Sequence, residues 1–443
     1  MFYDFIKKIT VIGVGYVGLP IAIELAKNNK FKVIGFDSNF KRIDELNKGI
    51  DFNNEIEFDR NDFKGEVIFT NDNSKINGSN VFIVTVPTPI DSSNKPDLTA
   101  LMNAARTIGE SLSKTFANAI NLDAEILVIL ESTVFPGLTN ELFAPEILSY
   151  IPKKYLSKHK IRFGYSPERV SPGRDSKNFK EIIKIISADD SDTLNIVDWI
   201  YKECLKCETY RASKIEVAEA AKLLENTQRD LNIALINECV HVFSRMNICT
   251  NDVIDAAATK WNFMEVRPGL VGGHCIGVDP FYLTYKAEQL NYVPEVVSAG
   301  RRINDGFARW LAKDSVLRLF KANKGLHKYI AYVYGVTFKA NCSDLRNSKS
   351  IDIINKLKDY GIEVYWHDPI VNKTADISLK ETPRLKNLEG DLTNRPQLVF
   401  ICVGHDEYKD FNSHKYDEFF DTCLYTYDVP NILKRRTEKI IKL

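Results

Sequence analysis

The sequence predicts an α/β protein: two Rossmann-like, doubly wound domains joined by a long central helix within a helical middle domain. Three observations carry this reading. Short apolar runs alternate with helical segments through the first part of the chain, a stretch at 214–247 keeps helical spacing without Gly or Pro, and a second strand and helix series begins near Tyr329. Strands alternating with helices imply a parallel sheet covered on both faces. The expected boundaries are 1–205 for the first domain, 206–320 for the middle and 321–443 for the last.

The elements follow in order. An apolar run at 9–13 leads into G-V-G-Y-V-G at 13–18 and a helix through Lys27. The next strand spans 31–36 and ends on Asp37; further strands are expected at 81–86, 126–130 and 161–164. The run at 214–247 has Val217, Ala221, Leu224, Leu231, Leu235 and Val242 at helical spacing. Its length is unusual for a globular helix and predicts a spine or a dimer contact. The second series comprises I-A-Y-V-Y-G-V, a helix at 350–360, E-V-Y-W, and Q-L-V-F-I-C-V-G at 397–404.

Bulk composition narrows the function classes. A chain of 443 residues exceeds what one core serves, at about 150 residues per domain. Its 59 basic residues balance 59 acidic ones without a long like-charged run, so neither a nucleic-acid nor a membrane-surface partner is expected. Eight cysteines are scattered, and Cys204 and Cys207 lack a second C-x-x-C; no zinc site is expected, and a reducing cytoplasm fits. Lys7-Lys8 before the apolar stretch 9–23 imitates a secretory signal, but three glycines and Pro20 interrupt it and Glu24 closes it. It reads as strand, turn and helix.

Gly13, Gly15 and Gly18 form G-x-G-x-x-G between a strand and a helix, and Asp37 closes the following strand. Such glycines allow a tight turn and close approach of a pyrophosphate to the helix N-terminus. Asp37 would accept hydrogen bonds from the ribose and repel a 2'-phosphate, which predicts NAD over NADP. Arg42 is a second cofactor candidate, or a solvated helix residue.

V-G-G-H-C-I-G-V-D-P at 271–280 sets Cys275 among Gly272, Gly273 and Gly277, whose missing side chains would let a ligand approach the backbone. Asp279-Pro280 reads as an N-cap and a first-turn proline. Taken alone, the segment reads as an inert loop thiol, because nothing in it shows what the sulfur would attack.

The motifs taken together change that. G-V-G-Y-V-G-L-P, V-P-T-P at 86–89, E-S-T-V-F-P-G at 131–137, Y-S-P-E-R at 165–169, A-A-K-L-L-E-N at 220–226, the cysteine stretch, and T-F-K-A-N-C-S-D-L-R at 337–346 occur in this order. The chain thereby resembles the UDP-glucose/GDP-mannose dehydrogenase family over nearly its whole length, most closely the branch acting on UDP-N-acetylhexosamines, chiefly UDP-N-acetylglucosamine.

The resemblance implies oxidation of the sugar's 6-hydroxyl to a carboxylate by two NAD+, for a surface polysaccharide precursor. It makes Cys275 the covalent nucleophile, Lys222 the stabiliser of oxyanion charge, Asn226 its hydrogen-bonding partner, and Glu168 the base or water activator. Asp279 combines capping with proton handling. Thr133 lies near the nicotinamide and reactive water, and Thr88 lines the cofactor. Lys339 reaches the substrate, Arg346 reaches NAD, and Arg267 contacts the UDP-sugar, in one reading across a subunit boundary. His274 is left as a neighbour, and the other cysteines as packing. Ala340 and Ser343 depart from the family's usual Glu and Pro. UDP-N-acetylmannosamine and UDP-N-acetylgalactosamine are rival substrates, and a nucleotide-sugar-binding protein without turnover is the rival of another class. A homodimer on the 214–247 helix completes the expectation.

Overall fold

Apolar runs too short for helices and punctuated by glycine or polar turns set the strands of the first sheet. The computed structural model describes residues 5–27, 30–51, 67–118, 125–170, 179–322, 328–371, 379–390 and 395–443. These fall into two compact units, Met1–Glu225 with Phe281–Tyr292, and Asn226–Pro280 with Val293–Leu443.

In the first unit, β1 (Lys8–Ile12), α1 (Gly18–Lys27), β2 (Lys32–Phe36), α2 (Phe40–Asn47) and β3 (Val67–Thr70) wind outward. The chain then returns to β4 (Val81–Val84), α3 (Thr99–Asn118), β5 (Ile126–Leu130), α4 (Ala144–Ser149), α5 (Lys153–Leu156) and β6 (Ile161–Tyr165). It closes with β7 (Lys184–Ala188), α6 (Ser191–Trp199) and β8 (Thr209–Arg211). The strand order β3-β2-β1-β4-β5-β6-β7-β8 reverses between β1 and β4, the doubly wound pattern whose switch point opens a ligand crevice. Both faces of β4 and β5 are buried, so these strands read as unbroken V-F-I-V and I-L-V-I-L. One pairing departs from parallel: β7 runs antiparallel to β6, with Gly164 opposite Ala188 and Tyr165 opposite Ser187.

The long helical run is α7 (Ile215–Phe243), followed by a short turn that ends on Asn247 in the left-handed conformation. It is four residues shorter at its C-terminal end than the 214–247 expectation because that turn breaks the ladder. After α8 (Thr250–Ala257) and α9 (Asp279–Gln289) comes α10 (Glu295–Ala322), 28 residues long, which the sequence reading had not anticipated. Gly300 and Gly306 obscure its helical signal. The first has a packing reason: a Cβ on Gly300 would lie 2.4 Å from Leu231 Cδ2, so a larger residue there would have to push that leucine aside.

The second unit ends in a five-stranded parallel sheet, β10-β9-β11-β12-β13, built from β9 (Ile330–Tyr334), β10 (Glu363–His367), β11 (Leu398–Ile401), β12 (Tyr425–Asp428) and β13 (Ile440–Lys442). Helices α11 (Lys349–Asp359) and α12 (Asp417–Thr422) connect it. Phe307, Leu311 and Val316 of α10 pack with Val333, Ile354 and Phe400 in its core. The chain is thus α/β, with two Rossmann-like sheets and a helical middle.

A buried ion pair ties α10 to α7: Arg301 Nη1 lies 2.6 Å from Asp230 Oδ1, with Asn304 Nδ2 2.7 Å from the same oxygen. Arg301 is 3% exposed and Asp230 fully buried. Arg301→Met should cost about 3–5 kcal/mol by leaving the carboxylate uncompensated. Urea unfolding followed by far-UV dichroism checks this, and a change within 1 kcal/mol (about that of an ordinary surface pair) would show the ion pair to be dispensable.

Candidate active site

Gly13 leaves β1 with φ +91° and donates its N–H to Phe36 O at 2.8 Å. A Cβ on Gly18 would meet Gly13 O at 2.0 Å and Thr85 Oγ1 at 2.4 Å, so this glycine lets α1 close on β1 and β4. A Cβ on Gly15 would meet nothing within 4 Å. That open backbone at the start of α1 fits a pyrophosphate, with orphan N–H groups and the positive end of the helix dipole facing it. Asp37 Oδ2 accepts Val14 N–H at 3.1 Å and Oδ1 accepts Asn39 N–H at 2.9 Å, placing a fixed carboxylate where a dinucleotide's ribose belongs. Arg42 is buried rather than solvated. Its Nε donates to Val14 O at 2.9 Å and its Nη1 pairs with Asp51 at 2.7 Å, so it braces the glycine loop.

The loops after β4 and β5 are laced together. Ser132 Oγ donates to Val86 O and Thr88 Oγ1 donates to Thr133 O, both at 2.7 Å. Tyr282 Oη holds Thr88 O at 2.9 Å. Thr88 and Thr133 therefore share one wall of the crevice at the carboxyl ends of β4 and β5.

Glu168 follows β6. Its Oε1 accepts Arg169 N–H at 2.6 Å and Val170 N–H at 2.5 Å, and its Oε2 lies 3.4 Å from Lys184 Nζ. Burial alone would raise its pKa; Lys184, the Val170 amide, Lys222 and the Arg169 amide outweigh burial and hold the carboxyl below the usual range. Lys222 on α7 is thus felt at Glu168. It is 6% exposed, and no carboxylate among the described residues pairs with it.

In the second unit Asn226 Nδ2 donates to Asp279 Oδ2 at 2.5 Å, both side chains being buried. Asp279 is the first residue of α9, one step inside the expected N-cap position, and its N–H donates to Cys275 O at 2.8 Å. Cys275, half-buried, therefore sits one turn before that helix.

The three glycines beside Cys275 serve the protein's own packing. A Cβ on Gly272 would meet Asn347 O at 2.5 Å, one on Gly273 (φ +76°) would meet Phe338 at 2.8 Å, and one on Gly277 would lie 3.1 Å from Asn347 Nδ2. The room that the sequence reading gave to a ligand at Gly272 and Gly273 is filled by the 337–347 segment. His274 joins the same contact: its Nε2 lies 2.7 Å from Asp344 Oδ2, while Arg346 Nη2 holds that carboxylate at 2.7 Å. Burial pushes the Asp344 carboxyl up, but His274 and Arg346 together hold it far below the usual range.

Lys339 lines a cavity of about 180 Å³ with Thr337, Phe338, Ser350, Cys402 and Gly404, at the carboxyl ends of β9 and β11. Arg267 lies outside these groups. Its guanidinium is taken by Asp255 at 2.5 Å, Glu265 at 2.6 Å and Asn251.

Sequence reasoning missed Glu131, Lys184 and Tyr201, the buried cluster beneath Glu168, because only the tertiary packing of β5, β7 and the helical turn at 200–204 brings them together. Glu219, buried on α7, was also missed; it accepts Gly137 N–H, Thr139 N–H and Thr139 Oγ1–H at 2.6, 3.0 and 2.6 Å.

Residues 7–205 match the NAD binding domain, 216–306 the central domain and 332–435 the UDP binding domain of one family. The chain belongs to the UDP-glucose/GDP-mannose dehydrogenase family. It is 41% identical to a UDP-N-acetyl-D-glucosamine 6-dehydrogenase of Pseudomonas aeruginosa, over 96% of this chain and 97% of that protein. It is 38% identical to an enzyme of the same name from Salmonella typhi, over 96% of both. Among solved structures, a UDP-D-ManNAc dehydrogenase from Pyrococcus horikoshii superposes with a TM-score of 0.81 at 29% identity, covering 98% of this chain and 99% of that one. Among the described residues no helix is long and apolar enough to cross a membrane, and no group of His, Cys, Asp or Glu could hold a metal.

The family's cofactor and the glycine-loop geometry agree. Asp37 would face the 2'-phosphate of NADP+, and such like-charge contact costs several kcal/mol, so kcat/KM is expected to fall by roughly two orders of magnitude relative to NAD+. Asp37→Ser should narrow that gap. Equal efficiencies with both cofactors in the unsubstituted protein would remove this role from Asp37.

Proposed function

We propose that this protein oxidises the C6 hydroxyl of UDP-N-acetylglucosamine to a carboxylate in two NAD-dependent steps. The observation that carries the choice of sugar is the 41% and 38% identity to two UDP-N-acetyl-D-glucosamine 6-dehydrogenases across nearly the full chain. UDP-N-acetyl-D-mannosamine dehydrogenases of Methanococcus vannielii and Methanocaldococcus jannaschii stand at 32% and 31%.

The nicotinamide, when bound, accepts a hydride in each step. The protein's residues do the rest. Glu168, held as a carboxylate, takes a proton from the hydroxyl or from the hydrolytic water. Lys222 balances negative charge as it forms on the sugar oxygen. Once the first hydride has left C6 an aldehyde remains, and a second hydride leaves readily only from a tetrahedral carbon. Cys275 supplies that geometry by adding its sulfur to the carbonyl, with the positive end of α9 favouring the charge involved. Loss of hydride from the thiohemiacetal gives a thioester, which water cleaves to the carboxylate and the regenerated thiol. The Asn226–Asp279 hydrogen bond fixes an amide and a carboxylate, and Asp279 handles protons there.

Thr88 and Thr133 line the cofactor crevice. Lys339, in the cavity at the carboxyl ends of β9 and β11, contacts the nucleotide sugar, and Arg346 reaches the cofactor. Arg267 meets the nucleotide sugar of a partner subunit in a homodimer. The surface proposed for that dimer is on α7, where Val217, Leu224, Leu235 and Val242 are 45–64% exposed. Their spacing of 7, 11 and 7 residues returns to one helix side. A cytoplasmic setting fits eight cysteines that form no disulfide among the described residues. The product would serve as a surface polysaccharide precursor.

NADH release with a panel of UDP-sugars tests the substrate. UDP-N-acetylglucosamine should give the highest kcat/KM; a higher value with the mannosamine or galactosamine epimer would reassign the sugar, and no signal with any would favour a binding protein. Two NADH per sugar are expected, without free aldehyde.

Cys275→Ala should keep UDP-sugar and NAD+ binding and lose carboxylate formation. Cys275→Ser should stall as an oxygen ester detectable by intact-protein mass spectrometry. Carboxylate formation by Cys275→Ala at the unsubstituted rate would return this thiol to a packing role. For the dimer, Leu224→Glu with Leu235→Glu should give a monomeric mass by light scattering at micromolar concentration. A monomer before substitution would count against α7 as an interface.

A further inference from the structure

Lys184 is a lysine placed where lysines rarely occur: its side chain is 7% exposed, among groups that are themselves buried. Its Nζ lies 2.5 Å from Glu131 Oε2 and 3.4 Å from Glu168 Oε2. Glu131 is fully buried, and its other oxygen accepts the Tyr201 hydroxyl. The Tyr201 ring lies 5.5 Å from the ammonium.

The antiparallel strand explains how the cation arrives. In a parallel strand the first residue lies at the sheet edge away from the crevice. Because β7 runs antiparallel to β6, its first residue comes to the crevice edge instead. Tyr165 pairs with Ser187, so three residues on from Tyr165, Glu168 falls beside Lys184, three residues back from Ser187.

We propose that Lys184 is a positioning residue that holds Glu168 as an oriented carboxylate, with Glu131 and Tyr201 locking the ammonium in place. This rests on the reading of Glu168 as the proton-handling group. Geometry separates the two lysines near Glu168. Lys184 is committed to two carboxylates, whereas Lys222 has no such pair among the described residues and stays available for charge that appears during reaction. A catalytic carboxylate neutralised by the same lysine that must stabilise an oxyanion would weaken both functions; two cations remove that conflict.

The charged groups facing Glu168 are Lys184 from β7, Lys222 from α7 and Glu131 after β5. The Arg169 guanidinium is turned to Glu225 and to Ile183 O. Burial lowers the Lys184 pKa, but Glu131 and Glu168 outweigh it and raise it, so the lysine stays charged through neutral pH. Glu168 is shifted down, so its basic form persists as pH falls until the folded-state value is reached. Without Lys184, burial remains while the largest opposing attraction is gone, and the value moves up.

The test is the pH dependence of kcat for Lys184→Met combined with Glu131→Gln, which removes Lys184 from Glu168 without stranding Glu131 as a buried carboxylate. The acid limb should move to higher pH by about one unit or more, as loss of a charge within 4–6 Å predicts. Lys184→Arg should restore it. If the double variant does not fold, Lys184→Gln, which can still hydrogen-bond both carboxylates, carries the same expectation. Glu168→Gln distinguishes the two levels. Loss of turnover in Glu168→Gln with an unmoved acid limb in the folded Lys184 variant would overturn the role of Lys184 alone. Turnover retained in Glu168→Gln would overturn the reading of Glu168, and the role of Lys184 with it.

Discussion

A buried polar group must be hydrogen-bonded, and along α7 that requirement decides which loop residue each buried polar side chain holds within its own unit. Glu219 takes the Gly137 and Thr139 amides, so the loop carrying Thr133 is pinned from behind. Asn226 takes Asp279, at the end of the cysteine loop. Asn237 accepts Gly269 N–H at 3.0 Å and donates to Gly269 O at 3.0 Å, fixing the approach to that loop. Each partner satisfies a group whose desolvation would otherwise cost about 1–3 kcal/mol, so displacing one of these loops is unfavourable. A purely apolar helix face would pack as well but would not specify which loop residue meets it.

This explains which parts of the molecule could be read from sequence. The first strand, glycine turn and helix are a local pattern, in which Gly13 and Gly18 meet steric demands set by residues close by or in the adjoining strand. The α7 spine shows itself through length and spacing alone. Helix α10 does not, because Gly300 weakens its helical signal for the sake of a contact with Leu231, 69 positions away in sequence. The cluster of Glu131, Lys184 and Tyr201 was invisible for a similar reason. Each residue, viewed alone, is an ordinary polar position, and only the packing of β5, the antiparallel β7 and the helical turn at 200–204 relates them.

The cysteine loop shows the opposite failure. Its glycines were legible as a close approach, and the approach is real, but the occupant is the 337–347 segment. Asn347 Nδ2 donates to Gly273 O at 3.1 Å, Phe338 covers Gly273, and His274 meets Asp344. Sequence shows that bulk is missing but not what uses the space. The consequence is mechanical. Lys339 and Arg346 belong to the same segment that packs on Gly272 and Gly273, so a displacement of that segment bears on the backbone next to Cys275. The preference for Gly at 273 then comes from two independent demands, a positive φ and the Phe338 ring.

The same economy governs charge. A buried ammonium is tolerable only when compensated, and Lys184 has two carboxylates and an aromatic ring for that purpose. Lys222 also acts on Glu168 through its field, but no carboxylate among the described residues pairs with it directly. With Lys184 on β7, which runs antiparallel to β6, and Lys222 on α7, the paired and the unpaired buried cations sit on separate elements, so the carboxylates that compensate one do not pair with the other.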